Sequence, residues 1–315
     1  MMTRIECAKW LLRHDNFCIL THLRPDGDTI GSSAALCLGL RQLGKTAHVL
    51  ENSEITEKYR PLHQGLTKVA AEDGDTVVSV DIASASLLPQ NAKPLLERIV
   101  LRIDHHFSAT PFTPEALVDH SAGACGEIIY DVLMEMGVKL DELIAIPLYT
   151  AVSTDTGCFR YPNTTANTLR VAAACHDTGA DLYLVNQRLF DTNSLPKLRM
   201  QGWIAENTHF FGGGKFAVCA IPLSVEQELG VNEDDMDNIS GFPRSIEGVC
   251  MSATLRQTPD GGIKVSVRAV PGYDASALCA KFGGGGHKGA AGVSMRMPLD
   301  QAAEIIENAM LELCQ

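Results

Sequence analysis

An α/β fold in two parts is predicted: an N-terminal, mostly parallel, helix-covered sheet, then a smaller C-terminal α+β domain. Two observations carry this. Through the first half of the chain, short β-branched runs alternate with alanine-rich helical segments, the pattern of a parallel sheet with helices on its faces. Beyond residue 212 the texture changes to strands of alternating polarity joined by tight turns, and 315 residues leave room for two cores.

Taken in order, Thr3 to Arg13 reads as an amphipathic helix opened by a Thr3/Glu6 capping box. Phe17 to Thr21 is a strand, Ile30 to Leu43 an apolar helix stopped by Gly44, and Thr46 to Leu50 a second strand, together one βαβ unit. Ile55 to Asp75 looks irregular, and Thr76 to Ile82 is a short apolar strand that delivers Asp81 near its end. A helix through Pro94 to Glu97 leads to the strand Ile99 to Asp104, then to helices at Gly123 to Met136, Leu140 to Val152 and Thr165 to Asp177. Asp181 to Thr208 is helical and polar without strand signals. Lys215 to Pro222, Gly248 to Gln257 and Gly262 to Val270 are strands, the last two joined by a turn at Pro259 to Gly262. A helix at Asp274 to Lys281, a glycine-rich loop at Gly283 to Gly292, a strand at Val293 to Met297 and a helix at Leu299 to Leu313 complete the chain. The expected bounds are 1–185 for the sheet domain, 186–212 for a helical connection and 213–315 for the second domain.

Composition narrows the function classes. No apolar run approaches the ~18 residues a membrane span needs, so no membrane association and a cytoplasmic location are expected. The ten cysteines are scattered singly without a Cys-x-x-Cys pair, which points to small core residues. A net charge of −12 argues against coating long duplex nucleic acid, which needs many phosphates neutralised by Lys and Arg. It is compatible with a short anionic substrate held through cations, which reverse the local field.

The chemistry gathers at strand ends, where open α/β sheets bind ligands. THLRPDGDTIGS, Thr21 to Ser32, puts His22, Asp26 and Asp28 after the first strand, with Gly27 expected to let the loop curl so that both carboxylates converge. Asp81 ends another strand, Asp104-His105-His106 a third, and Asp155 follows a helix. Alone, each has a bland reading as a turn former or cap. Together, carboxylates and imidazoles from separate element ends suit hard-to-borderline divalent ions such as Mn²⁺ or Mg²⁺. In the C-terminal part, Gly283 to Gly286 with His287 and Lys288 reads either as a hinge or as an anion cradle. It is no dinucleotide fingerprint, because only 26 residues follow Gly289, and no Walker loop, because Lys288 precedes Gly289 rather than Ser or Thr.

HLRPDGDTIGS, Asp81, Asp104-His105-His106 and Thr154-Asp155-Thr156-Gly157 together resemble the four motifs of the DHH phosphoesterases. GGGGHKGAAG, Gly283 to Gly292, is similar to the signature of the DHH-associated domain of the nuclease branch, and size and domain content match the bacterial oligoribonuclease (nanoRNase) and pAp-phosphatase group. The resemblance implies two divalent cations, Mn²⁺ foremost. His22 and Asp26 would hold one, Asp28 and His105 the other, with Asp81 bridging and Asp155 completing the second sphere. It places Asp104 behind the histidines as their orienting carboxylate, and His106 beside the scissile phosphate. Arg24 and Thr29 depart from the usual motif without removing a ligand. Arg268 and Ser266 on one strand face, Gly284, Gly285, Gly286 and His287 in the glycine loop, and Arg160 after the fourth motif become substrate-binding candidates. The implied activity is hydrolysis of short oligoribonucleotides to mononucleotides, of pAp to AMP, or of both. Alternatives are a phosphodiesterase for cyclic dinucleotides or pApA and, from a different class, a nucleotide-binding regulator. A homodimer is the default expectation for assembly.

Overall fold

Six short strands, the inner four of them largely apolar, hydrogen-bond side by side in parallel to form the first sheet of the computed structural model, which describes residues 1–107, 109–236 and 239–312. They are β1 (Phe17–Leu20), β2 (Ala47–Leu50), β3 (Thr67–Lys68), β4 (Thr76–Val80), β5 (Ile99–Asp104) and β6 (Glu115–Val118), in the order β3-β2-β1-β4-β5-β6. All neighbours are parallel. β1 and β2 are buried throughout, as expected of strands covered on both faces. The strand order reverses between β1 and β4, and such a switch point opens a crevice outside the carboxyl ends of those two strands.

Helices α1 (Arg4–Arg13), α2 (Gly27–Gln42), α3 (Cys125–Glu135), α4 (Glu142–Asp155) and α5 (Ala166–Asp177) pack around one core that includes Phe17, Ile19, Leu36, Leu40, Ile128 and Leu148. The opposite sheet face carries a smaller core of Leu20, Leu50, Val77, Ile82, Leu88 and Ile99, covered by 3₁₀ turns and loops. The α1 capping box forms as the sequence predicts. Several expectations shift. The second helix starts at Gly27, not Ile30, because Asp26 caps it. Pro94 to Glu97 is a 3₁₀ helix spanning Lys93–Arg98. The irregular stretch Ile55 to Asp75 contains a 3₁₀ turn and β3, and β6 lacked any sequence signal, its Glu115 being exposed and its Ala116 only half-buried.

The chain divides into compact units at Met1–Thr192 and Asn193–Gln315. The segment 186–212 holds a π-helical turn Gln187–Asp191, then α7 (Leu195–Asn207) and β7 (His209–Phe211), with α6 (Leu182–Asn186) before it. β7 is a sheet strand, so the second unit starts earlier than the polar composition implied.

In that unit β7, β8 (Phe216–Ile221), β9 (Met251–Gln257), β10 (Ile263–Ala269), β11 (Gly285–His287) and β12 (Ala290–Met295) form a sheet ordered β11-β12-β10-β9-β8-β7. All pairs are antiparallel except β8 with β9. Helices α8 (Leu223–Leu229), α9 (Ala275–Ala280) and α10 (Leu299–Glu312) accompany it, and Leu313 lies outside the described residues. The glycine run is not a loop throughout: Gly285 to His287 pair with Gly292 to Ala290. A Cβ at Gly284 would overlap the Gly292 carbonyl and Val293, and one at Gly286 (φ 144°) the Ala290 carbonyl and Ala291. Among the described residues no helix is long and apolar enough to cross a membrane.

Candidate metal centre

Each acidic motif leaves its strand at the crevice defined by the strand order. After β1, His22 turns its Nδ1 to the Leu23 carbonyl at 2.8 Å, which leaves Nε2 facing Asp26 Oδ1 at 3.6 Å and Asp81 Oδ2 at 3.9 Å. Asp26 caps α2, its Oδ1 accepting from the N–H groups of Asp28 and Thr29. Gly27 serves otherwise than expected. It is the first residue of α2, and a Cβ there would overlap the Thr154 side chain of α4. Close helix packing, not loop flexibility, requires the glycine between the two aspartates.

Asp28 is 1% exposed, and its carboxylate accepts from the backbone N–H of Cys125 (2.6 Å) and Gly126 (3.0 Å) and from the Ser32 hydroxyl (2.9 Å). Those N–H groups are orphans of α3, whose own cap residue Ala124 provides no side-chain bond. Asp28 is therefore pinned by a helix N-terminus, which favours its negative charge.

Asp81 stands in the middle. One of its oxygens is buried without a hydrogen-bond partner and lies 3.5 Å from His105 Nε2 and 3.4 Å from His106 Nδ1, while the other faces His22. His105 sends Nδ1 to the Ala122 carbonyl at 3.2 Å, so its Nε2 also lies 3.7 Å from both Asp28 Oδ2 and Asp155 Oδ2. Asp104 Oδ1 accepts from the backbone N–H of His105 (2.8 Å) and of His106 (3.2 Å) and from His106 Nδ1 (2.8 Å). One carboxylate thus orients both histidines, and the buried Arg102 guanidinium stands 4.0 Å from its other oxygen.

Three groups of ligand atoms lie within 4.8 Å of one another here: His22, Asp26 and Asp81; Asp28, His105 and Asp155; and Asp81, His105 and His106. Electrostatics demand a counter-charge. Burial, then Asp28, Asp26, Asp155 and Asp104, push the Asp81 carboxyl well above the ordinary range, and burial with Asp28 and Asp26 does the same to Asp155. Carboxylates crowded in this way cannot all ionise unless cations join them. An orphaned Asp81 oxygen amid N and O donors fits divalent ions.

Sequence reasoning missed the support around these ligands. Asn163 donates to the Asp155 carbonyl (3.1 Å), to its carboxylate (3.4 Å) and to the Gly123 carbonyl (2.9 Å), and Thr29 donates from Oγ1 to the Val80 carbonyl. Nothing local in the sequence marks Asn163. Arg160 makes a local bond, Nε to the Gly157 carbonyl at 2.7 Å.

In the C-terminal unit, register places Ser266 opposite Gly292 and Arg268 opposite Ala290, and Gly292 and Ala290 in turn oppose Gly285 and His287. Ser266, Arg268 and His287 therefore share one sheet face, separated by Gly and Ala that add little bulk.

Comparison with known proteins identifies the family. Residues 16–152 match the DHH family, N-terminal domain, and residues 196–313 the DHHA1 domain. The chain is 34% identical over 298 residues to the bifunctional oligoribonuclease and PAP phosphatase NrnA of Thermus thermophilus, covering 93% of this chain and 89% of that one. It is 26% identical to the protein of that name from Bacillus subtilis, covering 93% of each. Among solved structures, an exopolyphosphatase-related protein from Bacteroides fragilis superposes with a TM-score of 0.86 at 23% identity, over 98% of this chain and 96% of that one. The exonuclease RecJ bound to manganese shares the fold at a TM-score of 0.52 and 14% identity, over 98% and 95%. With both domain models matched and a relative aligned over nearly its whole length, the chain belongs to the DHH phosphoesterase family, whose members use divalent metals.

Proposed function

We propose that this phosphoesterase hydrolyses short oligoribonucleotides to mononucleotides and pAp to AMP, using two divalent cations, Mn²⁺ foremost. The names of the aligned relatives support the substrate class. The observation that carries the chemistry is Asp81, which faces His22 with one oxygen and His105 and His106 with the other, the placement of a bridging carboxylate. His22 and Asp26 would hold one ion and Asp28, His105 and Asp155 the other. Such ions supply a water of lowered pKa and offset the charge of the phosphoryl oxygens.

The chain's own residues do the rest. Asp104 fixes His106 through Nδ1, which leaves Nε2 as the end available to a phosphate oxygen or a leaving ribose oxygen. Burial works to lower the His106 pKa, and the bond to Asp104 together with the nearby carboxylates outweighs it and raises it. Arg268, Ser266, His287 and the backbone of Gly284 to Gly286 are assigned to the remainder of the nucleotide, with Arg268 suited to a bidentate phosphate contact. The net charge of −12 favours such short substrates over long duplexes.

The test is product analysis with Mn²⁺ on di- to pentaribonucleotides, pAp, pApA and cyclic di-AMP in parallel. Release of mononucleotides and AMP is expected from the first two substrates. Turnover confined to pApA or cyclic di-AMP would overturn the substrate assignment. Asp81→Asn keeps a side chain tolerant of the local backbone but removes the anionic bridge, and should lower kcat by about 10³-fold or more. Unchanged biological effect in that variant would point to a regulator instead.

A further inference from the structure

A second set of metal-ligand side chains lies at the opposite end of the same sheet. Cys18 on β1 and His48 on β2 are register partners in a parallel pair, so their side chains leave the same face. Asp75 immediately precedes β4, whose Thr76 pairs with Phe17. One ligand atom from each of the three falls within 4.8 Å of the others. They share no residue with the acidic cluster, which gathers at the carboxyl ends of these strands, whereas Cys18 and Asp75 lie at the amino ends.

The surroundings are apolar, with Leu20, Leu50 and Val77 on the same face. Cys18 is fully buried and His48 is 2% exposed, but neither His48 ring nitrogen has a hydrogen-bond partner. A buried polar group left in that state is disfavoured, because it has lost water without gaining a partner. Asp75 Oδ2 lies 3.4 Å from His48 Nε2. Two ligands at ~2.0–2.1 Å on one tetrahedral ion stand about 3.3–3.4 Å apart, so the spacing is that of a coordination edge. The same Asp75 oxygen accepts the Glu72 N–H at 2.7 Å, which orients it. Of the neighbouring cations Lys68, Arg41 and Arg98, Lys68 is paired with Glu72 at 2.7 Å and Arg98 donates to the Glu72 carbonyl.

We propose that Cys18, His48 and Asp75 bind a zinc ion that ties β1, β2 and the start of β4 together. One thiolate, one neutral imidazole and one carboxylate are the donors zinc prefers, and softer than the all-N/O set of the catalytic cluster. Two anionic ligands and a dication leave no net charge in this apolar setting.

The test uses the full-length protein, stripped by chelator and titrated with Co²⁺. A near-ultraviolet thiolate-to-cobalt charge-transfer band saturating at about one equivalent is expected, because a cysteine ligand gives such a band and the His/Asp cluster does not. The band should persist in Asp28→Asn and vanish in Cys18→Ser, and zinc content after native purification should fall about tenfold in Cys18→Ser with Mn²⁺-dependent turnover retained. Asp75→Ala, altered at a strand-end loop, is the second variant should Cys18→Ser fail to fold, and it too should lose zinc about tenfold. No band in the wild-type protein, a band surviving Cys18→Ser, or zinc content unchanged in Asp75→Ala overturns the assignment.

Discussion

Asp81 is one of five described non-glycine residues with positive φ, here 61°, a conformation that costs a side-chain-bearing residue roughly 1–3 kcal/mol. The strain turns its carboxylate back across the crevice toward three histidines. His63 shows a different residue-level device. Burial holds its pKa down to about 4, against the Ile30 carbonyl, which works to raise it, and the ring sits 3.0 Å from the Ser33 hydroxyl. Because the folded pKa lies below the unfolded value of 6.5, the unfolded chain binds the extra proton. Stability is therefore complete above pH 6.5 and is lost as pH falls toward 4, by up to about 3 kcal/mol from this group. Denaturant unfolding across that window should show the loss, and His63→Gln should remove this share of the pH dependence. A slope unchanged in the variant would mean that His63 is already protonated in the folded protein.

At the scale of elements, the centre is aligned by the packing of α2 on α4. Gly27 and Gly31 lie one helical turn apart on α2, and a Cβ on Gly31 would overlap the Pro147 carbonyl and the Ala151 backbone. The contact is with backbone, which cannot yield by a rotamer change. Gly31→Ala should therefore destabilise by about 1–3 kcal/mol, the usual cost of overpacking, and should lower kcat by displacing Asp28. Thermal unfolding and Mn²⁺-dependent turnover measure both, and a melting temperature equal to wild type would count against tight α2–α4 packing. The far end of α4 is equally constrained. Gly157, Cys158 and Phe159 all have positive φ, so the chain reverses abruptly after Asp155, and a Cβ on Gly157 would overlap the Tyr161 ring. Asn163 then returns to hold Asp155.

For the molecule as a whole, two units have separate cores, and the proposed function assigns phosphate chemistry to the first and substrate choice to the second. Substitutions in the second unit should therefore act on KM for nucleotides more than on the chemical step. Arg268→Ala is expected to raise KM for pAp at least tenfold while leaving hydrolysis of bis-p-nitrophenyl phosphate, which lacks a nucleotide, within about twofold. Equal losses on both substrates would place Arg268 in a structural role instead. Four of the six strands of the first sheet, β1, β2, β4 and β5, lie in apolar runs that the sequence announces, since a doubly covered parallel strand has to be apolar. β3, β6 and the β11 glycine strand stayed hidden, the first two because they are exposed or partly exposed edges and the third because glycine carries no strand propensity.

What the sequence alone determined about this protein is a set of candidate ligands and the ends of the elements that carry them. His22, Asp26, Asp28, Asp81, His105 and Asp155 were legible because carboxylates and imidazoles stand out after apolar strands. Their convergence was decided by tertiary structure, because strand order is a long-range property that sets β1 beside β4. The same holds for the reason behind Gly27, the anchoring of Asp28 by α3, the hold of Asn163 on Asp155, and the meeting of Cys18, His48 and Asp75. Each joins residues distant in the chain through backbone approach, which no local pattern encodes.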